Sequence, residues 1–191
     1  MRFMRNDNRT FSKLLEKLSK DSYENINKRD KKGRTILHYA VRDSDQKTVK
    51  LLIKKGADIN SADVGGYVPM HLAVMGKQLK NVKELINSGA NVNIVERNGE
   101  NTPLHFACMV GEVEIVKELI RAGAKTDQPD KSGKTAMDCA KNNKEITEVL
   151  KNSAIANKQK EFVEEIRSVS EKAAGMIAAK EELIEKEAVN E

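Results

Sequence analysis

Asn101-Thr102-Pro103-Leu104-His105-Phe106-Ala107 carries the parts of a helix start in order. The Thr102 hydroxyl can cap the first turn by accepting from a backbone N–H that has no helical partner. Pro103 suits the first helical position, where a missing N–H costs nothing and the ring presets φ. Leu104 and Ala107, three apart, begin an apolar face, and His105 sits between them, one helical step from the core. One such stretch is a weak signal. Its recurrence at a fixed period decides the fold.

Asp30-Lys31-Lys32-Gly33-Arg34-Thr35-Ile36-Leu37-His38-Tyr39-Ala40 opens a first unit, and Asp63-Val64-Gly65-Gly66-Tyr67-Val68-Pro69-Met70-His71-Leu72-Ala73 a second. Glu96-Arg97-Asn98-Gly99, followed by Glu100 through Ala107, opens a third, and Asp130-Lys131-Ser132-Gly133-Lys134-Thr135-Ala136-Met137-Asp138-Cys139-Ala140 a fourth. The positions of His38, His71, His105 and Asp138 step by 33, 34 and 33 residues, with the extra residue in Glu100-Asn101. A second marker repeats independently in Gly56-Ala57-Asp58-Ile59-Asn60, Gly89-Ala90-Asn91-Val92-Asn93 and Gly123-Ala124-Lys125-Thr126-Asp127. A period in this range marks stacked supersecondary units, none of which can bury its apolar faces alone.

The pattern resembles the ankyrin repeat over about residues 30–150. The resemblance implies an all-α ankyrin-repeat solenoid, a β-turn plus an antiparallel helix pair per repeat. Expected units are 30–62, 63–95, 96–129 and 130–150, the last a divergent C-terminal cap. Residues 1–29 are expected to form an N-terminal capping helix or half repeat, with Phe11, Leu14, Leu15 and Leu18 at helical spacing over 10–20. Ile26 precedes Ile59 by 33 residues, in register with the repeats.

The residue types fit such units. Gly33, Gly66, Gly99 and Gly133 suit a turn that needs positive φ. Gly56, Gly89 and Gly123 suit the position just past each second helix. Val49, Leu52 and Ile53 form an inward stripe, repeated by Val82, Leu85 and Ile86 and by Val116, Leu119 and Ile120. Asn60 and Asn93 are placed to bond loop backbone. The departures are Ile36 and Ala136 in place of proline, Val68 in place of the capping threonine, and Asp138 in place of histidine.

Three histidines in one frame invite a metal or acid–base role. Stacked repeats hold them about one repeat apart, too far to share an ion. The resemblance implies that each ring bonds backbone of its own or the next unit. No metal, cofactor or catalytic residue is expected: there is no phosphate-binding glycine loop, no zinc-ligand spacing and no nucleophile–base arrangement outside structural positions. Cys108 and Cys139 are too few for a disulfide framework and read as reduced, packed thiols.

Composition narrows the classes further. Charged residues make up 33% of the 191, aromatics 4%, and there is no Trp, which is poor material for one large enclosed core. Residues 151–191 hold 7 Lys/Arg and 9 Asp/Glu, which leaves 27 and 20 for 1–150, a net of +7 against −2. A basic body can attract acidic partners. Nucleic-acid binding ranks last, because no recognition motif or basic groove of stacking aromatics accompanies the charge. No signal peptide or membrane span is read, so a cytoplasmic location is expected, or a host cell's interior if the source is an intracellular bacterium.

Residues 151–191 leave the repeat and read as a charged helical tail. Ile155, Phe162, Val169, Met176 and Leu183 recur every seven residues, with Ile166 and Ala173 four after two of them. This is a narrow seam on a long helix, interrupted at Gln159 and Lys180 and weakened by Gly175. It fits a helix folded back on the last repeat, a coiled-coil or partner helix spanning 155–187, or a frayed tail.

Function is expected to be binding rather than chemistry: an adaptor, scaffold or inhibitor. The resemblance places partners on the turn tips and on the exposed, concave side of the first helices. Carried onto this sequence, the partner-binding set is Tyr39, Arg42, Tyr67, Leu72, Met75, Arg97, Glu100, Asn101, Phe106, Met109 and Val110. Its apolar middle, rimmed by Lys31, Lys32, Arg34, Arg42 and Arg97, suits an acidic or amphipathic segment of another protein, while the competing reading is ordinary inter-repeat packing of the same residues, with Leu72 and Phe106 between neighbouring first helices. The alternative is self-association through the tail.

Overall fold

The computed structural model describes residues 26–43, 46–140 and 143–188. The helix expected at 10–20 lies outside them. Among the described residues the architecture is helices and turns without strands. Three helix pairs follow one another: α1 (Ile36–Asp43) with α2 (Gln46–Lys54), α3 (Pro69–Met75) with α4 (Leu79–Asn87), and α5 (Pro103–Val110) with α6 (Val113–Arg121). A short α7 (Ala136–Cys139) and a long α8 (Lys144–Ala188) complete the order. The chain divides into two compact units, Met1–Leu150 and Lys151–Glu191.

In the first unit like packs on like. The first helices stack in the order α1, α3, α5, α7, and the second helices in the order α2, α4, α6. The short aliphatic stripes lie between them: Val49, Leu52, Val82, Leu85, Val116 and Leu119 are buried, and Ile53, Ile86 and Ile120 pack at the margin. Each second helix ends in the same way. Gly56, Gly89 and Gly123 take φ of 92°, 84° and 88°, and the N–H of the following alanine reaches back to Leu52, Leu85 or Leu119. That closes otherwise orphaned carbonyls, and the left-handed conformation is why glycine stands there.

The histidines tie neighbouring units. The backbone N–H of Thr35, Val68 and Thr102 donates to Nδ1 of His38, His71 and His105 at 3.1, 3.2 and 3.2 Å. The Nε2 atoms lie 3.1, 3.2 and 3.1 Å from the carbonyl oxygens of Tyr67, Asn101 and Lys134, each in the next unit. A carbonyl only accepts and a backbone N–H only donates, so each ring is neutral with its proton on Nε2. In the fourth unit Asp138 Oδ2 accepts from Thr135 N and Thr135 Oγ1, both at 3.0 Å. The carboxylate reproduces the cap within the turn. It supplies no Nε2–H for a following unit.

Asparagines tie the loops on the other side. Asn93 donates to Gly123 O at 3.0 Å and accepts from Lys125 N at 2.9 Å. Asn27 makes the same pair of bonds to Gly56 O and Asp58 N at 3.0 and 2.7 Å, and Asn60 accepts from Asn91 N at 3.0 Å. These bonds run to the next unit's loop.

The described residues of the second unit lie on α8, which continues through Gly175 without a break. Its seam side chains Ile155, Phe162, Ile166, Val169 and Met176 are exposed. The side chain of Leu183 lies outside the described ones.

Candidate functional site

The turn tips are built by one carboxylate each. In the first, second and fourth turns the Oδ1 of Asp30, Asp63 or Asp130 accepts from the backbone N–H groups two and four residues on, at 2.8–3.0 Å. Gly33, Gly66 and Gly133 take φ of 74°, 82° and 77° there. The third turn is one residue longer, and the pattern changes with it. Glu96 replaces aspartate, and its extra methylene reaches across the wider loop. Oε2 accepts from Asn98 N at 2.7 Å, and Oε1 from Gly99 N at 2.7 Å and Asn101 Nδ2 at 3.1 Å.

The positive φ expected at Gly99 is found at Glu100 instead, with φ of 56°. The inserted residue shifts the left-handed position by one. Gly99 is needed for space: a Cβ there would collide with Asn101 Nδ2 and come within 2.9 Å of Glu96 Oε1. Burial alone would raise the pKa of Glu96. The Asn101 amide and the N–H groups of Asn98, Asn101 and Gly99 outweigh it and hold the carboxyl below the usual range. The organising role of these four carboxylates is not evident from residue spacing alone, although each opens its unit.

Consecutive tips are joined through backbone. Val64 N donates to Lys32 O at 3.0 Å, Arg97 N to Gly65 O at 2.9 Å and Lys131 N to Gly99 O at 2.8 Å. Gly66 lies so close to the third tip that a Cβ would sit 2.7 Å from Arg97 N. The Arg97 and Glu100 side chains remain exposed on this row, and Asn101 is half-buried.

Beside the tips, three rings meet at the junction of the second and third units. Tyr67 and Phe106 have centroids 6.0 Å apart, and His71 lies edge-on to them at 5.9 and 5.7 Å. Tyr67 and Phe106 are half-buried while His71 is fully enclosed beneath them. Burial pushes the Tyr67 hydroxyl up in pKa, with help from the charges of Glu96 and Asp63. Further along the same first helices, Met75 and Met109 are 44% and 49% exposed. They occupy equivalent positions on α3 and α5, which pack together. Val110 is half-buried next to Met109. Arg42 is half-buried and lies against Gly76, where a Cβ would meet its Cγ at 3.2 Å.

Two of the expected partner-binding residues are interior. Tyr39 is 3% exposed and donates its hydroxyl to Asp30, so its ring braces its own turn. Leu72 is 7% exposed and belongs to the core. On the rim, Arg34 is turned inward, its Nε bonded to the buried Asp63 at 3.1 Å. Of the other expected residues, Met75, Arg97, Glu100 and Met109 are exposed, Arg42, Tyr67, Asn101, Phe106 and Val110 are half-buried, and Tyr67 and Phe106 meet as a ring pair.

Cys108 is buried, its thiol pushed up to about 12 by desolvation with Cys139 adding to the shift, so it carries little nucleophilic thiolate. Among the described residues no three His, Cys, Asp or Glu side chains converge as a metal would require, and no helix is long and apolar enough to cross a membrane.

A family model for ankyrin repeats (3 copies) matches residues 3–96 and again 70–162. The chain belongs to the ankyrin repeat family. Comparison with curated proteins gives no match. Ankyrin repeats are generally protein–protein interaction modules and are typically non-enzymatic. In this ankyrin repeat protein the recurring residues of the opening stretch build the stack: Thr102 Oγ1 lies 2.8 Å from His105 Nδ1, and His105 reaches Lys134. The surface is left to the residues between them.

Proposed function

We propose that this ankyrin repeat protein is a non-enzymatic adaptor, scaffold or inhibitor that holds a partner on the tips and first helices of its second and third repeats. The observation that carries the reading is the pair Met75 and Met109. Two large, flexible thioethers stand 44% and 49% exposed at equivalent places on adjacent helices, and the half-buried Tyr67–Phe106 ring pair joins the same two units. Nothing in the packing of the stack requires them there, and methionine with aromatics is the composition of a binding surface. The exposed Lys31, Lys32 and Arg97 give the patch a basic margin, which favours an acidic or amphipathic segment. Residues 1–29 would cap the array at the near end, a role supported by the loop bonds of Asn27.

The test is Met75→Glu combined with Met109→Glu. Both side chains are exposed, so the stack should keep its helical signal and melting temperature. Affinity capture from the native cell, quantified by mass spectrometry, should lose the main partner by at least about tenfold, since hot-spot truncations remove 2 kcal/mol or more. An unchanged partner set with a folded double variant rules the surface out.

A further inference from the structure

The uncovered seam of α8 fits a second copy of this chain. Ile155, Phe162, Ile166, Val169 and Met176 run along one side of a continuous helix, and Phe162 is 63% exposed. From 155 to 180 the seam is about 40 Å long at the rise of an α-helix. Exposed apolar side chains in a line of that length mark an association face. The intrahelical pair from Arg167 Nε to Glu171 at 3.1 Å lies on the opposite, outer side.

We propose that residues 155–180 pair with the same segment of a second copy as an antiparallel two-stranded coil, in the one register that sets Glu165 against Lys172. In an antiparallel pair the two seam rows meet each other. One row is 155, 162, 169 and 176, the other 159, 166, 173 and 180. In this register Ile166 meets Val169 of the second copy, and Phe162, the largest seam residue, meets Ala173, the smallest. Gln159 meets Met176, and Lys180 meets Ile155 at the end, where its ammonium reaches water. Large-against-small layering lets the backbones stay at an even distance.

Flanking charge chooses the register. Lys158, Glu165 and Lys172 line one side of the seam, and all three are exposed. In the proposed register Glu165 faces Lys172 twice, by symmetry. Sliding by one heptad in one direction sets Glu165 against Glu165 and Lys158 against Lys172. Sliding in the other sets Lys172 against Lys172. A parallel pair puts Phe162 on Phe162 and Lys180 on Lys180, and its flanking charges meet Val163, Ser170 and Ile177. A slide of two heptads sets Lys158 against Glu165 twice but halves the overlap, so only the proposed register gains two opposite-charge contacts over the whole seam without a large-on-large layer.

The experiment uses the full chain in sedimentation equilibrium. The wild type should give a dimer. Glu165→Lys alone and Lys172→Glu alone each turn both attractions into repulsions. Each should raise the dissociation constant by at least about tenfold, with unchanged helical circular dichroism. An equimolar mixture of the two variants restores opposite charges at both contacts and should recover the wild-type constant, as should the double exchange in one chain. A wild type that stays monomeric at the highest attainable concentration overturns the proposal. So do single variants that dimerise as well as wild type, or a mixture that fails to recover. The inference does not depend on the partner-binding surface: Met75→Glu with Met109→Glu should leave the mass unchanged.

Discussion

At the scale of single residues, the stack relies on one short-range device used with small variations. A hydroxyl and a backbone N–H gather at an imidazole or carboxylate three residues on, as Thr35, Thr102 and Thr135 show with His38, His105 and Asp138. Val68 is the exception. It offers no hydroxyl, and His71 Nδ1 accepts the Val68 N–H at 3.2 Å without a threonine beside it. Val68→Thr is nearly isosteric and places a hydroxyl where the other three units have one. It should stabilise the protein by about 1 kcal/mol and raise Tm by about 2–4 °C, read by thermal and urea unfolding. The departure of Val68 is plain in the sequence because three parallel examples stand beside it. That Asp138 keeps half of the histidine's work is not, because only the geometry shows which half a carboxylate can do.

At the scale of the element, the third turn shows how an insertion is absorbed. The added residue widens the loop, glutamate replaces aspartate to span it, and the left-handed position falls on Glu100. A side chain at φ of 56° is disfavoured by about 1 kcal/mol relative to glycine. Glu100→Gly should therefore be neutral to stabilising by up to about 1 kcal/mol in urea unfolding. If the same substitution weakens partner capture, the glutamate is retained for binding at a local cost in stability. Lys77, φ 57°, is the other non-glycine in this conformation among the described residues, and its ammonium bridges to Val110 O at 3.2 Å and Glu112 at 2.8 Å in the next unit. Gly111 occupies the equivalent place one unit later. The register makes that equivalence legible, but the bridge is visible only once the units are stacked.

At the scale of the whole repeat array, the ties of His38 and His71 make stability depend on pH. Burial disfavours the imidazolium of His71 and lowers its pKa from 6.5 to about 4, and His38 is lowered for the same reason. Between these values the unfolded chain takes up protons that the native chain does not. Stability is therefore full above pH 6.5 and declines as pH falls toward 4, with His71 alone contributing on the order of 3 kcal/mol. Urea midpoints should fall steadily over that window. His71→Gln should be less stable at pH 7 and show a flatter decline from pH 7 to 5. A wild-type midpoint that is constant from pH 7 to 5 contradicts the neutral, doubly bonded ring. Asp30 and Glu96, both held below the ordinary carboxylate values by hydrogen bonds that outweigh burial, add a second loss at lower pH.

The sequence by itself determined the repeat register, the helix pairs, the buried stripes and the long last helix. These follow from local rules: turn residues that need a given φ, caps at fixed offsets, and apolar spacing that only a neighbouring unit can cover. It also put the three histidines in one frame, where a tie between units is the expected role. The tertiary structure decided which side chains remain on the surface. By helical spacing Tyr39 and Leu72 fall on the same face as Met75 and Met109, which leaves both a surface place and packing between first helices open to Leu72. Yet Asp30 draws Tyr39 inward and Leu72 joins the core, while Met75 and Met109 stay open. Exposure depends on what the adjacent unit places opposite, a distance that no spacing along one chain records.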